Sequence, residues 1–178
     1  MQRYLRLVAG LFQAVLLLCA APALAAPANI AAQLLVEGPA APGEEVTLAV
    51  RMTPAKGWHG YWQNPGDAGQ GMTLTASLAG KDQPLEALRY PVPETLLISG
   101  LMNHVYEHEY AVLTSLKVPA DARPGAVLPL TVEAQWLACT DQICVPESGT
   151  LKADIKVGPR GAPDPRFDAW RAALPAPL

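Results

Sequence analysis

Residues 128–157 read LPLTVEAQWLACTDQICVPESGTLKADIKV, and their parity decides the fold. Leu128, Leu130, Val132, Ala134 and Trp136 take the even positions while Thr131, Glu133 and Gln135 take the odd ones. This is the period-two alternation of a strand with one face buried and the other wet. It returns with Leu151, Ala153, Ile155 and Val157 apolar and Lys152, Asp154 and Lys156 polar. Between the two runs, Thr140-Asp141-Gln142-Ile143 reads as a hairpin loop with Cys139 and Cys144 at its ends. Parity gives both cysteines to the polar sets unless Pro146 and Gly149 reset the phase, so both sulfurs are expected to point away from the core. Opposed residues of a non-hydrogen-bonded antiparallel pair have Cα atoms ~4.5 Å apart, which a disulfide spans.

The pattern repeats upstream. Val46, Leu48, Val50 and Met52 share one face opposite Thr47 and Arg51, and Gly57-Trp58-His59-Gly60-Tyr61-Trp62 is an aromatic strand expected to end at the turn Asn64-Pro65-Gly66-Asp67. Met72, Leu74, Ala76 and Leu78 alternate again, as do Tyr110, Val112, Thr114, Leu116 and Val118. With 18 prolines and 14 glycines between short apolar runs, six or more strands predict an all-β protein, an immunoglobulin-like antiparallel β-sandwich. The end of the chain differs. Asp164 before Pro165 is a helix-start signal, and Phe167, Trp170 and Leu174 fall on one helical face, so a short C-terminal helix is expected over 165–174.

The other terminus bears on compartment. Arg3 and Arg6, the apolar run Leu7 to Ala20, and Ala21-Pro22-Ala23-Leu24-Ala25-Ala26 form the pattern of a secretory signal over residues 1–26. Cys19 would leave with it, because Leu18 stands where a lipoprotein signal carries a small residue. Of 178 residues, cleavage after Ala26 leaves 152, enough for one sandwich domain over 27–158 followed by a Pro-rich tail over 159–178 with the short helix. The net charge is −3, losing two arginines makes it −5, and no basic cluster exists, so nucleic acid is not an expected partner. Export would place Cys139 and Cys144 in an oxidising compartment, where disulfides form and persist.

Closing so short a loop stabilises a fold by only about 2 kcal/mol in the chain-entropy model, less than joining distant strands would. That favours a working redox pair, yet short structural disulfides are common in exported proteins, and spacing alone leaves both readings open. Asp141 and Glu147 flank the cysteines, and negative charge near a thiol disfavours thiolate, so a functional pair would be a poor oxidant and a carrier of reducing equivalents.

Three segments carry a resemblance. Gly57-Trp58-His59-Gly60-Tyr61-Trp62-Gln63-Asn64-Pro65-Gly66-Asp67-Ala68-Gly69, Tyr90-Pro91-Val92-Pro93, and Trp136 to Cys139 with Cys144-Val145-Pro146-Glu147 together resemble the N-terminal periplasmic domain of the thiol:disulfide interchange protein DsbD and its ScsB relatives. The resemblance covers roughly residues 30–158. It implies a domain that takes electrons from a membrane-embedded thiol reductase and passes them to thioredoxin-like periplasmic disulfide proteins, without a cofactor. The residue forming the mixed disulfide with partners would be Cys144, and Cys139 would resolve it. A cap loop would lie within Ser99 to Tyr106, including Leu101, Met102, His104, Val105 and Tyr106, and Trp58 and Tyr61 would border the site. Four residues separate the cysteines, where the best-known DsbD domain has five, which is closer to the ScsB-like branch. The family's membrane and thioredoxin-like domains are not in this sequence, so the reductase is expected to act in trans.

The competing reading is a binding or copper-handling module whose disulfide is only structural, with His104, Tyr106 and His108 on one strand face and Met102, Met72 or His59 nearby. Packing in the core is the simpler role for Trp58, Trp62 and Trp136, which share core-facing parity. The Gly66, Gly69, Gly71 spacing has no helix after it and reads as a loop, not a phosphate cradle. No Ser/His/Asp order or paired-carboxylate motif points to hydrolysis.

Overall fold

The computed structural model describes residues 28–162 and 164–176; the expected signal segment, with Cys19, lies outside them. Ten strands run in chain order as β1 (Ile30–Val36), β2 (Glu45–Pro54), β3 (Gly60–Gly66), β4 (Thr73–Leu78), β5 (Lys81–Gln83), β6 (Glu94–Ile98), β7 (Leu101–Tyr106), β8 (Tyr110–Lys117), β9 (Val127–Cys139) and β10 (Cys144–Lys156), followed by the helix α1 (Pro165–Ala172). Sheet β1-β2-β8 packs on sheet β10-β9-β4-β5, with all strand pairs antiparallel. The expected parity builds the core between them: Val46, Leu48, Val50 and Met52 of β2 meet Leu130, Val132, Ala134 and Trp136 of β9, all buried. Each such aliphatic side chain gains about 1.5–3 kcal/mol from leaving water. The architecture is an immunoglobulin-like sandwich with, among the described residues, one short helix.

A third sheet, β3-β7-β6, positions the site. It joins the sandwich where His59, just before β3, pairs antiparallel with Cys139 at the end of β9. The segment Ser99–Tyr106, expected to contain a cap loop, holds a turn and a strand: Ser99 and Gly100 both have positive φ and form the two-residue turn between β6 and β7, whose pairing runs from Ile98↔Leu101 to Glu94↔Val105. One expectation is corrected here: the aromatic strand does not end at Asn64 but bends through an irregularity after Tyr61 and pairs again at Gly66↔Asn103. Gly66 has φ 90°, and a Cβ there would stand 2.4 Å from the Met102 carbonyl oxygen, so only glycine lets the strands close up.

The helix docks on the outer side of β2 and β8. Phe167 is fully buried against Ala49, Ala111 and Leu113, with Trp170 and Leu174 beside it. Asp164 caps the helix, its carboxylate accepting from the Arg166 N–H at 3.0 Å, and Arg171 pairs with Glu37. Among the described residues no helix is long and apolar enough to cross a membrane.

Candidate functional site

The site is the tip of the β9–β10 hairpin. Cys139 faces Cys144 in the ladder, with Cα atoms 4.1 Å apart, and the two are bonded. The pair is a non-hydrogen-bonded one for a visible reason. The Cys139 N–H and C=O both turn to the other neighbour, donating to the His59 carbonyl at 3.0 Å and accepting from the His59 N–H at 2.8 Å. The tip itself is held by Thr140, whose N–H donates to the Ile143 carbonyl at 2.8 Å. Its hydroxyl oxygen accepts from the Gln142 and Ile143 N–H groups, each at 3.2 Å.

The two sulfur-bearing residues differ sharply in exposure. Cys139 is 0% exposed and Cys144 lies open at the surface. Residues paired across a ladder project to one face, so Cys144, Cys139 and His59 share a face, as do Tyr61 and Val105, and the two sets meet because His59 and Tyr61 lie two residues apart on one strand run. Tyr61 and Val105 pack with Cys139 in a small apolar cluster of their own, flanked by Leu96 and Leu137. The segment from Asp67 to Gly71 crosses above it. Gly69 lies flat on the Tyr61 ring, where a Cβ would come within 2.2 Å of a ring carbon. The Asp67 N–H donates to the Met102 carbonyl and the Asp67 carboxylate accepts from the Met102 N–H, both at 2.8 Å, which anchors that segment to β7.

His59, 2% exposed, is the residue the sequence reading left out of the site. Its Nε2 lies 3.3 Å from the Tyr61 hydroxyl, and the rings meet edge to face at 5.3 Å. Burial pulls the imidazole pKa below its ordinary value, against the opposing pull of Glu107 and Asp141. Burial also pushes the Tyr61 phenol upward. The signal was present: His59 and Tyr61 sit two apart on a strand and therefore share a face.

Of the residues expected at the site, the structure brings together Cys139, Cys144, Tyr61, Val105 and Asp141. Others lie elsewhere. Tyr106 stacks on Tyr110 at 4.0 Å in the main core, and Trp58 packs against that core. His104 points its Nδ1 at the Asn64 carbonyl at 3.0 Å, edge-on to Trp62, while Leu101 and Met102 are 47% and 45% exposed beside the β6–β7 turn. Glu147 is corrected outright as a charge near the sulfurs. It belongs to the inward face of β10, where its carboxylate accepts from the Asn29 N–H at 2.7 Å, the Ile30 N–H at 3.1 Å and the Trp136 indole N–H at 2.9 Å. Among the described residues no group of three His, Cys, Asp or Glu side chains is placed to hold a metal ion.

An open groove of about 270 Å³ runs beside the hairpin, lined by Leu137, Pro146, Gln70 and Ser148 among others. A larger one of about 630 Å³ over β4 and β5 holds no sulfur or imidazole. The arrangement at the tip offers one sulfur to a solvent-borne nucleophile and keeps the other behind an apolar cover.

Comparison with known proteins accords with this geometry. No curated protein sequence matches the chain. Among solved structures, the N-terminal periplasmic domain of ScsB from Proteus mirabilis superposes with a TM-score of 0.62 at 17% identity, covering 84% of this chain and 56% of that one, so the present chain spans little more than half its length. The DsbD N-terminal domain of Neisseria meningitidis, in its reduced form, aligns with a TM-score of 0.40 at 16% identity over 74% of this chain and 90% of that one. The family model for the N-terminal part of the thiol:disulfide interchange protein DsbD matches residues 31–155. A family match over that span, on a sandwich of the ScsB kind with a bonded cysteine pair at the hairpin tip, places the chain in the DsbD N-terminal domain family.

Proposed function

We propose that the domain relays reducing equivalents by thiol–disulfide exchange in the periplasm, taking them from a membrane-embedded reductase in trans and passing them to thioredoxin-like disulfide proteins. The observation that carries this is the unequal exposure of the pair: Cys144 open, Cys139 covered. In reduction of the domain, an incoming thiolate attacks the Cys144 sulfur, a mixed disulfide forms, and Cys139 leaves; a second thiol of the donor then frees Cys144. In delivery, the Cys144 thiolate attacks the partner's disulfide, and Cys139 displaces the partner from Cys144. The apolar cover of Tyr61, Val105 and Leu137 supports the resolving role, because it denies Cys139 to any thiol except the one tethered opposite it. The groove beside Leu137 and Pro146 gives a partner's chain room next to Cys144.

The test is transfer to a thioredoxin-like disulfide protein, read by the partner's thiol content. Cys144→Ala abolishes transfer with the fold intact. Cys139→Ala instead traps a mixed disulfide through Cys144. Residual transfer by Cys144→Ala, or a trapped complex through Cys139, contradicts the assignment.

A further inference from the structure

Covering Cys139 protects it and creates a proton problem. A sulfur with no contact with water leaves the bond as a thiolate in an apolar pocket, where its charge is costly, and water does not reach it to deliver or remove a proton. A group whose ordinary pKa suits that exchange near neutrality is paired with Cys139 across the strands. His59 is Cys139's own ladder partner, joined to it by two backbone hydrogen bonds, so the two side chains leave the same face with Cβ atoms about 5 Å apart. The imidazole is itself buried and held through Nε2 by the Tyr61 hydroxyl. With Nε2–H donating to Tyr61, Nδ1 carries the free lone pair.

We propose that His59 exchanges the proton of the Cys139 sulfur each time the disulfide opens or closes. This deepens the relay reading and rests on it. In closing, the Cys139 thiol gives its proton to the neutral imidazole and the thiolate attacks the Cys144 sulfur of a mixed disulfide. The Cys139–Cys144 bond forms as the Cys144–partner bond breaks, and the partner's sulfur leaves with the electron pair; the two cysteines are oxidised and the partner's disulfide is reduced. In opening, an incoming thiolate takes Cys144 and the departing Cys139 thiolate draws a proton from the imidazolium. The charges that reach the ring are Glu107, just after β7, and Asp141 at the hairpin tip, with the Tyr61 phenol on β3. Burial outweighs the two carboxylates and keeps the ring neutral near pH 7, the form that closing needs. Closing therefore accelerates and opening slows as pH rises through the imidazole pKa.

The experiment uses reduced protein and one equivalent of the chromogenic disulfide dithiobis(nitrobenzoate), without any protein partner. Cys144 releases one thionitrobenzoate on attack, and Cys139 releases the second on resolution. In the wild type the second phase shows an inflection below pH 6.5, the ordinary imidazole value. His59→Gln slows that phase about tenfold or more and removes the inflection, with the first phase unchanged. Tyr61→Phe keeps the imidazole and moves the inflection. A second phase in His59→Gln with the wild-type rate and pH profile overturns the inference while leaving the relay reading standing. Should His59→Gln not fold, an unmoved inflection in Tyr61→Phe overturns it equally. Absence of the first phase from the wild type sinks the relay reading and this inference together.

Discussion

The β9–β10 hairpin has an inner and an outer side, and both place polar chemistry beside apolar packing with opposite results. On the inner side, Glu147 meets three N–H donors and Trp136 closes the core over them. That carboxylate is a fixed knot tying the start of β1 to the hairpin. On the outer side, the same two strands carry the disulfide, Cys144 exposed and Cys139 covered, next to a buried imidazole whose Nε2 meets the Tyr61 hydroxyl. A fully satisfied polar group stabilises the fold; a half-covered sulfur pair beside a titratable ring can change state.

The sharpest way to break the comparison is to untie the inner knot. Glu147→Ala leaves the Asn29 and Ile30 N–H groups and the Trp136 indole without their acceptor, and roughly 3 kcal/mol of stability should be lost, since each orphaned donor costs about 1–3 kcal/mol. Urea unfolding measures it. Exchange at Cys144, assayed below the unfolding range, should remain at the wild-type rate, and a loss of exchange proportional to the loss of stability would erase the distinction between the sides.

Opening the disulfide is a smaller perturbation. The closed loop is short, so reduction should lower stability by about 2 kcal/mol. For a domain of this size that corresponds to roughly 4–8 °C in Tm. Calorimetry on oxidised and reduced protein reads the difference. Unfolding on reduction would make the bond a staple and return the protein to the structural reading.

Parity in residues 128–157 placed both sulfurs on the outward face, and it did so because the pleat is a local property of the chain. What it could not reach was exposure. Cys139 is covered because β3 joins β9 through His59↔Cys139, a pairing of residues 80 positions apart that no local pattern encodes, and because Gly69 brings a loop across Tyr61. Glu147 shows a different limit. Nearness to the cysteines in sequence is not nearness to the sulfurs in space, because its odd position, shared with Leu151 and Ala153, assigns it to the inner face. The β6–β7 turn was legible only as Ser99-Gly100, and β1, with Ile30-Ala31-Ala32-Gln33-Leu34-Leu35-Val36, carries no clean alternation to announce a strand. The helix was readable because Asp164-Pro165 and the Phe167, Trp170, Leu174 stripe are both local.

The smallest expected effect concerns stability against pH and isolates the outer side. His59 has a lowered pKa in the fold, so in the acid range the unfolded chain binds its proton more readily than the native one. Its contribution is fully present above the ordinary value of 6.5 and is lost as pH falls through that value toward the folded one. Stability should therefore decline between pH 7 and the folded-state pKa. His59→Gln should flatten that part of the profile, while Glu147→Ala should lower the whole profile without flattening it. Urea midpoints collected across this range for the oxidised protein make the comparison. A decline of equal steepness in His59→Gln would mean that the imidazole is not the group charging there, and that the cover over Cys139 admits enough water to leave its neighbour unperturbed.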